Sequence, residues 1–216
     1  GVQTCALPIW NSIHQGCSLI VIFDYGSGNL RSAQRAFEST GESVLVTSDV
    51  KKAEGAKGIV IPGVGAFAAC MSQLLNAGGE ELIKNRVSKG DALIGICVGM
   101  QVLFNTSTEK GSHKGLNIFN GTVDKLDSKI LPQIGWNTLS VPNNSKIFKG
   151  IENDSFYFVH SYAAKSEEVG AINTTASYGE TFLAAVEREN VCATQFHPEK
   201  SGKSGLKLIK NWVESL

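Results

Sequence analysis

The stretch Ala92-Leu93-Ile94-Gly95-Ile96-Cys97-Val98-Gly99 carries most of what this sequence predicts. Its apolar start predicts a buried strand, and the glycines around Cys97 predict a sharp turn into a helix over residues 99–104. Such a turn forces its central residue into a strained backbone conformation and leaves no space for neighbouring Cβ atoms. Cys97 would then stand clear of the backbone as a nucleophile. Taken alone, the motif also fits a buried cysteine that behaves as a small apolar residue.

A second motif, Gln195-Phe196-His197-Pro198-Glu199, supplies the partners that a nucleophilic cysteine needs. Residues 191–196 have the pattern of a strand, and His197 and Glu199 follow it, with Pro198 between them predicting an extended turn. A cysteine hydrolase needs an imidazole that takes and returns a proton, and a carboxylate that orients the imidazole. Taken singly, His197 fits a buried histidine and Glu199 a solvated charge. Together with Cys97, they predict a catalytic triad.

Six blocks of the sequence, in the same order, resemble the class I (triad-type) glutamine amidotransferases, and within them the glutaminase subunits of imidazole glycerol phosphate synthases. The blocks are Asp24-Tyr25-Gly26-Ser27-Gly28-Asn29-Leu30, Pro62-Gly63-Val64-Gly65-Ala66-Phe67, Gly95-Ile96-Cys97-Val98-Gly99-Met100-Gln101, Gly135-Trp136-Asn137, Tyr157-Phe158-Val159-His160-Ser161-Tyr162 and Phe196-His197-Pro198-Glu199-Lys200-Ser201-Gly202. The resemblance extends from about residue 19 to the C-terminus.

Residue periodicity predicts an α/β fold: a mostly parallel central sheet flanked by helices, with a strand-rich second half. Strands over 19–23, 44–46 and 58–62 alternate with a helix over 29–39, and helices over 66–75 and 80–87 precede the strand that leads to Cys97. Further strands are predicted over 121–126, 138–141, 156–159, 183–187 and 191–196, and a closing helix over 204–213. Active residues are expected at the carboxyl ends of strands in such a sheet.

Chain length and the N-terminal sequence define the expected domain organisation. The 216 residues suffice for one well-buried domain. The resemblance implies that this is a glutamine amidotransferase domain over residues 19–216. Residues 1–18 lack both periodicity and the features of a signal peptide, and their start resembles a translated sequencing adapter. We therefore expect residues 1–18 to be an extraneous or disordered extension.

Composition excludes several classes of function. Lysine and arginine together number 20, as do aspartate and glutamate, and no basic stripe indicates a nucleic-acid surface. No apolar run approaches the length of a membrane span. The five cysteines are scattered and form no C-x-x-C pair, which argues against a disulfide framework and a zinc site. We expect a cytoplasmic protein without metal or cofactor.

The segment Pro62-Gly63-Val64-Gly65 is the predicted partner of Cys97 in stabilising an oxyanion. It follows a strand, and its backbone N–H groups, together with the N–H of Val98, can face a tetrahedral intermediate. The same residues also fit a simple turn. The family resemblance implies that Gly63, Val64 and Gly65 are the oxyanion strand.

The resemblance also implies which residues bind substrate. Gln101, one helical turn beyond Cys97, and Glu109 match glutamine-binding positions. The segment His160-Ser161-Tyr162 matches the wall around the amino-acid end of the substrate. From the residues alone, Glu109 also fits a solvated loop carboxylate, and the segment also fits a strand exit with aromatic packing.

The resemblance implies a glutaminase that works in a heterodimer. Cys97 would attack the glutamine amide, and the released ammonia would pass to a (β/α)8 barrel cyclase. That cyclase makes imidazole glycerol phosphate and aminoimidazole carboxamide ribotide in histidine biosynthesis. Asn29 and Lys200 match positions at the interface between the two subunits. As alternatives, Asn29 suits a helix N-cap and Lys200 an ordinary surface lysine.

Gln133 departs from the family pattern, which usually has histidine at this position. The departure leaves open a paralogous glutaminase that feeds ammonia to a sugar-amidating barrel in surface polysaccharide synthesis. Two further alternatives are the glutaminase of pyridoxal phosphate synthase and a non-catalytic binding subunit of the same fold. The presence of Cys97, His197 and Glu199 argues against the last of these.

Overall fold

The computed structural model describes residues 19–216, so the prediction for residues 1–18 lies outside the described residues. The first half of the described chain alternates strands with helices. In order, these are β1 (Leu19–Phe23), α1 (Leu30–Glu38), β2 (Ser43–Thr47), α2 (Val50–Glu54), β3 (Gly58–Ile61), α3 (Phe67–Asn76), α4 (Gly79–Lys89), β4 (Ala92–Ile96) and α5 (Val98–Gln101).

The second half consists mainly of strands. These are β5 (Thr106–Ser107), β6 (His113–Lys114), β7 (Thr122–Lys125), β8 (Gln133–Thr138), β9 (Ser155–His160), β10 (Tyr162–Ala164), β11 (Ile172–Tyr178), β12 (Glu180–Arg188) and β13 (Val191–Thr194). A short 3-10 helix, Pro198–Lys200, and the long helix α6 (Gly202–Glu214) close the chain.

A seven-stranded sheet is the centre of the fold, with the strand order β11-β12-β13-β4-β3-β1-β2. The strands from β13 to β2 are parallel to their neighbours, whereas β12 and β11 add two antiparallel strands at one edge. The central strands are buried on both faces and are almost entirely apolar, as expected for a parallel sheet covered by helices. The predicted fold class is confirmed.

Two smaller sheets lie beyond α5: a four-stranded sheet with the order β10-β7-β5-β6, and the pair β8 and β9. The strand predicted over residues 138–141 is wrong in position. The regular strand lies upstream, and Ser140 forms only an isolated bridge to Thr175. The alternating pattern was misleading because β8 exposes its apolar residues and buries Gln133 instead. No pattern in the sequence predicted β11, a polar edge strand.

An aromatic cluster packs around the residues that directly precede His197. Phe156, Phe158 and Phe196 are fully buried, and the rings of Phe156 and Phe196 lie 4.5 Å apart between centroids. Elsewhere in the core, Trp212 of α6 packs edge-on against Phe37 of α1. None of the helices in residues 19–216 has the length and apolar content needed to cross a bilayer.

Candidate active site

Cys97 joins β4 to α5 in a conformation that side-chain-bearing residues rarely adopt, with φ 57° and ψ −114°. A Cβ atom at Gly99 would lie 1.9 Å from the carbonyl oxygen of Ile61. A Cβ atom at Gly95 would lie 2.6 Å from the carbonyl oxygen of Gly99. Because backbone atoms fill both positions, only glycine fits on either side of Cys97, as the sequence predicts.

His197 lies close to Cys97 because the strands that precede them are neighbours. Thr194 of β13 is the parallel register partner of Ile96 of β4, so both strands end at the same carboxyl end of the sheet. The extended turn predicted after His197 is wrong, since Pro198–Lys200 forms a 3-10 helix. This tight turn brings the side chain of Glu199 back to the imidazole of His197.

His197 and Glu199 form a buried pair. Nδ1 of His197 donates to Oε1 of Glu199 over 2.8 Å, and the two side chains are 2% and 4% exposed. Burial alone would lower the pKa of His197, but the Cys97 thiol and the Glu199 carboxylate outweigh burial and raise that pKa to about 9. The imidazole is therefore protonated at neutral pH. A positive charge next to a thiol favours the thiolate, which is the nucleophilic form.

A cavity of about 400 Å³ opens onto Cys97 and His197. The structure brings most of the predicted site residues to its wall, namely Val64, Gly65, Val98, Gln101, Glu109, His160, Ser161, Tyr162 and Lys200. The other three predicted residues, Asn29, Gly63 and Glu199, line a much smaller cavity next to His197. All the predicted site residues, although scattered along the chain, therefore meet around the carboxyl ends of β4 and β13.

Hydrogen bonds fix the wall of the cavity. The carbonyl oxygen of Tyr162 accepts from Nε2 of Gln101 over 2.8 Å and lies 3.0 Å from Nδ1 of His160, which therefore carries the proton. Burial and the nearby His197 lower the pKa of His160 to about 4, against the raising effect of this hydrogen bond. His160 is thus neutral at physiological pH. Glu109 accepts from the backbone N–H of Phe67 over 2.7 Å and so caps the start of α3.

The predicted oxyanion donors have internal partners in this structure. The N–H of Val98 donates to the carbonyl oxygen of Gly63 over 3.3 Å. The N–H of Val64 donates to the hydroxyl of Ser27 over 3.1 Å, and that hydroxyl lies 3.0 Å from the carbonyl oxygen of Val64. The Cys70 thiol also donates to this carbonyl, over 3.3 Å. The segment is therefore held in a conformation that occupies both its own Val64 N–H and the N–H of Val98.

Sequence reasoning gave no role to two residues that contact the site. Ser27 lies in one of the blocks that resemble the family, but only its neighbour Asn29 was singled out there. Gln195 opens the second motif, yet it was treated only as part of a strand. Its amide Nε2 lies 3.9 Å from Sγ of Cys97, and its side chain is fully buried. A polar residue at the end of an apolar strand was the available signal.

The comparisons with known proteins show the family of the chain. The model of the family "Glutamine amidotransferase class-I" matches residues 21–216. The chain belongs to the class-I glutamine amidotransferase family. The resemblance of the sequence blocks to this family is thereby confirmed.

Among curated members of the family, the chain is similar to proteins named imidazole glycerol phosphate synthase subunit HisH. It is 48% identical over 206 residues to the protein of Nocardia farcinica and 49% identical over 201 residues to that of Mycobacterium tuberculosis. Each match covers 91% of this chain and 98% of the relative.

Solved structures of amidotransferases share the fold at low sequence identity. A crystal structure described as a glutamine amidotransferase has a TM-score of 0.73 at 20% identity, covering 90% of this chain and 97% of the other. The structure of PurLQS from Thermotoga maritima has a TM-score of 0.69 at 19% identity, covering 91% and 97%. These similarities support the class-I glutamine amidotransferase fold described above.

Proposed function

We propose that this chain is the glutaminase subunit of an imidazole glycerol phosphate synthase, acting in the cytoplasm in histidine biosynthesis. One observation carries the proposal: a cysteine on a strained turn meets a buried imidazole–carboxylate pair at a cavity of about 400 Å³. A cavity of this size accommodates a small polar molecule such as an amino-acid amide. The similarity to proteins named HisH supports glutamine as the substrate.

In the proposed reaction, the Cys97 thiolate attacks the side-chain carbonyl carbon of glutamine. His197 gives its proton to the departing nitrogen, so that ammonia leaves and a γ-glutamyl thioester remains. The neutral imidazole then takes a proton from water, which attacks the thioester and releases glutamate. Glu199 holds the ring with Nδ1 protonated and offsets the positive charge that the ring carries.

The cavity wall offers groups for both ends of glutamine. Nε2 of Gln101 is engaged by Tyr162 and Gln195, so its Oε1 is the group left to accept from the substrate ammonium. The Glu109 carboxylate supplies negative charge on the same wall. We place the amino-acid end of glutamine against His160, Ser161 and Tyr162.

An exposed apolar face beside the site supports docking of a barrel partner. Ile134 and Trp136 of β8 are 64% and 59% exposed, and the Trp136 ring packs edge-on against Tyr157. Large apolar residues that stay exposed in a group commonly mark a protein interface. We propose that this face, together with Asn29 and Lys200, contacts a (β/α)8 barrel cyclase that receives the ammonia.

The internal hydrogen bonds of the oxyanion segment support partner control of the glutaminase. Because Val98 donates to Gly63 and Val64 donates to Ser27, neither N–H is available to a tetrahedral intermediate. We propose that docking of the partner changes this segment and frees the donors. The isolated chain would then hydrolyse glutamine slowly, which prevents the loss of ammonia to solvent.

Gln133 bears on which barrel protein is the partner. Gln133 is 3% exposed and pairs in register with His160, so it lies on the buried face of β8, away from Ile134 and Trp136. Its departure from the family pattern therefore has no direct effect on the exposed docking face. The curated relatives favour the histidine pathway over a sugar-amidating barrel.

Two experiments test the proposal. Ammonia release from glutamine is measured for the chain with and without a barrel cyclase and its ligand. We expect Cys97→Ala to lower the stimulated rate by at least about a thousandfold while leaving partner binding intact. The matched control is Cys192→Ala, at a buried cysteine outside the catalytic cavity, which should retain activity. Equal ammonia release by wild type and Cys97→Ala would refute the assignment.

The second experiment addresses the pathway. A bacterium that lacks its own glutaminase subunit of imidazole glycerol phosphate synthase and requires histidine is transformed with this chain and its genomic barrel partner. Growth without histidine is the expected result. Failure to grow with both proteins folded and expressed, combined with glutaminase activity in vitro, would favour the sugar-amidating alternative.

A further inference from the structure

Gln195 is a buried glutamine whose amide lies between the nucleophile and a wall residue of the cavity. It follows β13, and its side chain is 0% exposed. Its Nε2 lies 3.9 Å from Sγ of Cys97, and its Oε1 accepts from Nε2 of Gln101 over 3.0 Å. No other hydrogen bond to Nε2 of Gln195 occurs within residues 19–216. Without the sulfur, this amide nitrogen would be buried and unpaired, which is costly.

The orientation of the Gln195 amide follows from a chain of hydrogen bonds. The backbone oxygen of Tyr162 can only accept, so it must face the amide nitrogen of Gln101. The same nitrogen then donates to Gln195, which must present its oxygen. The nitrogen of Gln195 therefore faces Cys97. The reversed orientation would place two NH₂ groups against each other.

We propose that Gln195 is a further catalytic residue, which donates an amide N–H to the sulfur of Cys97 and stabilises the thiolate. The proposal rests on the role of Cys97 as nucleophile in the proposed function. A hydrogen bond to the charged form of a group favours that form, and a buried site removes the competition of water. Gln195 acts before the attack, by favouring the thiolate, and again when hydrolysis of the thioester returns the thiolate.

Several ionisable groups lie near this sulfur. Within residues 19–216, the ionisable groups that face Cys97 or line its cavity are His197, His160, Tyr25, Cys70, Glu109, Tyr162 and Lys200. A substitution at Gln195 leaves all of them in place. A comparison between wild type and a Gln195 variant therefore isolates the contribution of the amide.

The test measures the rate at which iodoacetamide alkylates Cys97 as a function of pH. The full chain is used, and the Cys97 peptide is quantified by mass spectrometry so that other thiols do not contribute. Gln195→Met removes the donor at similar volume. In this variant, we expect the midpoint of the curve of alkylation rate against pH to rise by about 0.4 to 1 pH unit. This shift corresponds to alkylation that is about 2.5- to 10-fold slower below the midpoint.

Two further variants make the result decisive. Gln133→Met is the matched control, because it replaces another buried glutamine that is outside the catalytic cavity, and its alkylation profile should match wild type. Gln195→Asn keeps an amide but withdraws it by one methylene, and it should shift the profile in the same direction as Gln195→Met. If Gln195→Met fails to fold, as judged by circular dichroism, Gln195→Asn carries the test.

An alkylation profile of folded Gln195→Met or Gln195→Asn that coincides with wild type would overturn the proposal. The assay needs neither glutamine nor the partner. Absence of glutamine hydrolysis in the wild-type complex would therefore refute the proposed function without affecting this measurement. Conversely, an unchanged profile in an active glutaminase would refute only the role of Gln195.

Discussion

Gly99→Ala tests the claim that backbone packing at the turn determines the position of Cys97. The new Cβ would lie 1.9 Å from the carbonyl oxygen of Ile61 and 2.8 Å from its carbonyl carbon. The first distance is roughly 1.5 Å shorter than an ordinary contact. Ile61 pairs with Gly95 between β3 and β4, so this backbone cannot move without disturbing the central sheet. We expect a loss of about 3 kcal/mol in unfolding free energy, the upper end for overpacking.

The assay is thermal and urea denaturation followed by circular dichroism. For a domain of this size, the loss corresponds to a melting temperature lower by about 6 to 12 °C. Gly55→Ala is the matched control, because Gly55 has φ −83° and a methyl group added there would meet no atom within 4 Å. It should leave stability unchanged or raise it by about 0.5 kcal/mol. A Gly99→Ala protein that melts within about 2 °C of wild type would refute the reasoning.

Three further predictions concern the oxyanion segment, the buried pair and the core. Ser27→Ala removes the hydroxyl that binds both the N–H and the carbonyl of Val64, so the glutaminase rate of the isolated chain should rise several-fold; an unchanged rate contradicts this role. Glu199→Gln should lower the pKa of His197 from about 9, as read by NMR titration of its ring protons. In the wild type, the protonated His197 contributes fully to the unfolding free energy below about pH 6.5, and this contribution is lost as the pH rises through about 9. The loss should be smaller in Glu199→Gln. Arg86→Met leaves four backbone carbonyls without their buried donor. Urea denaturation should show an unfolding free energy lower by about 3 kcal/mol, and a decrease of under about 1 kcal/mol would contradict this prediction.

The sequence alone predicted the turn at Cys97 because its requirements are local. Two close backbone approaches demand glycine on either side of Cys97, and Gly95 and Gly99 meet that demand, while Cys97 itself has the positive φ. The alternation of strands and helices in the first half was also predictable, since the period of apolar residues reports burial directly. The strand at 138–141 was misplaced because β8 exposes Ile134 and Trp136 and buries Gln133.

Only the tertiary structure decided which distant residues meet at the sulfur. Gln195 reaches Cys97 across 98 positions because β13 lies beside β4 in the sheet, and no local pattern specifies that strand order. Ser27 reaches Val64 across 37 positions for a similar reason, since β1 and β3 are neighbours. Short-range preferences are encoded residue by residue, whereas these contacts depend on how whole strands pack.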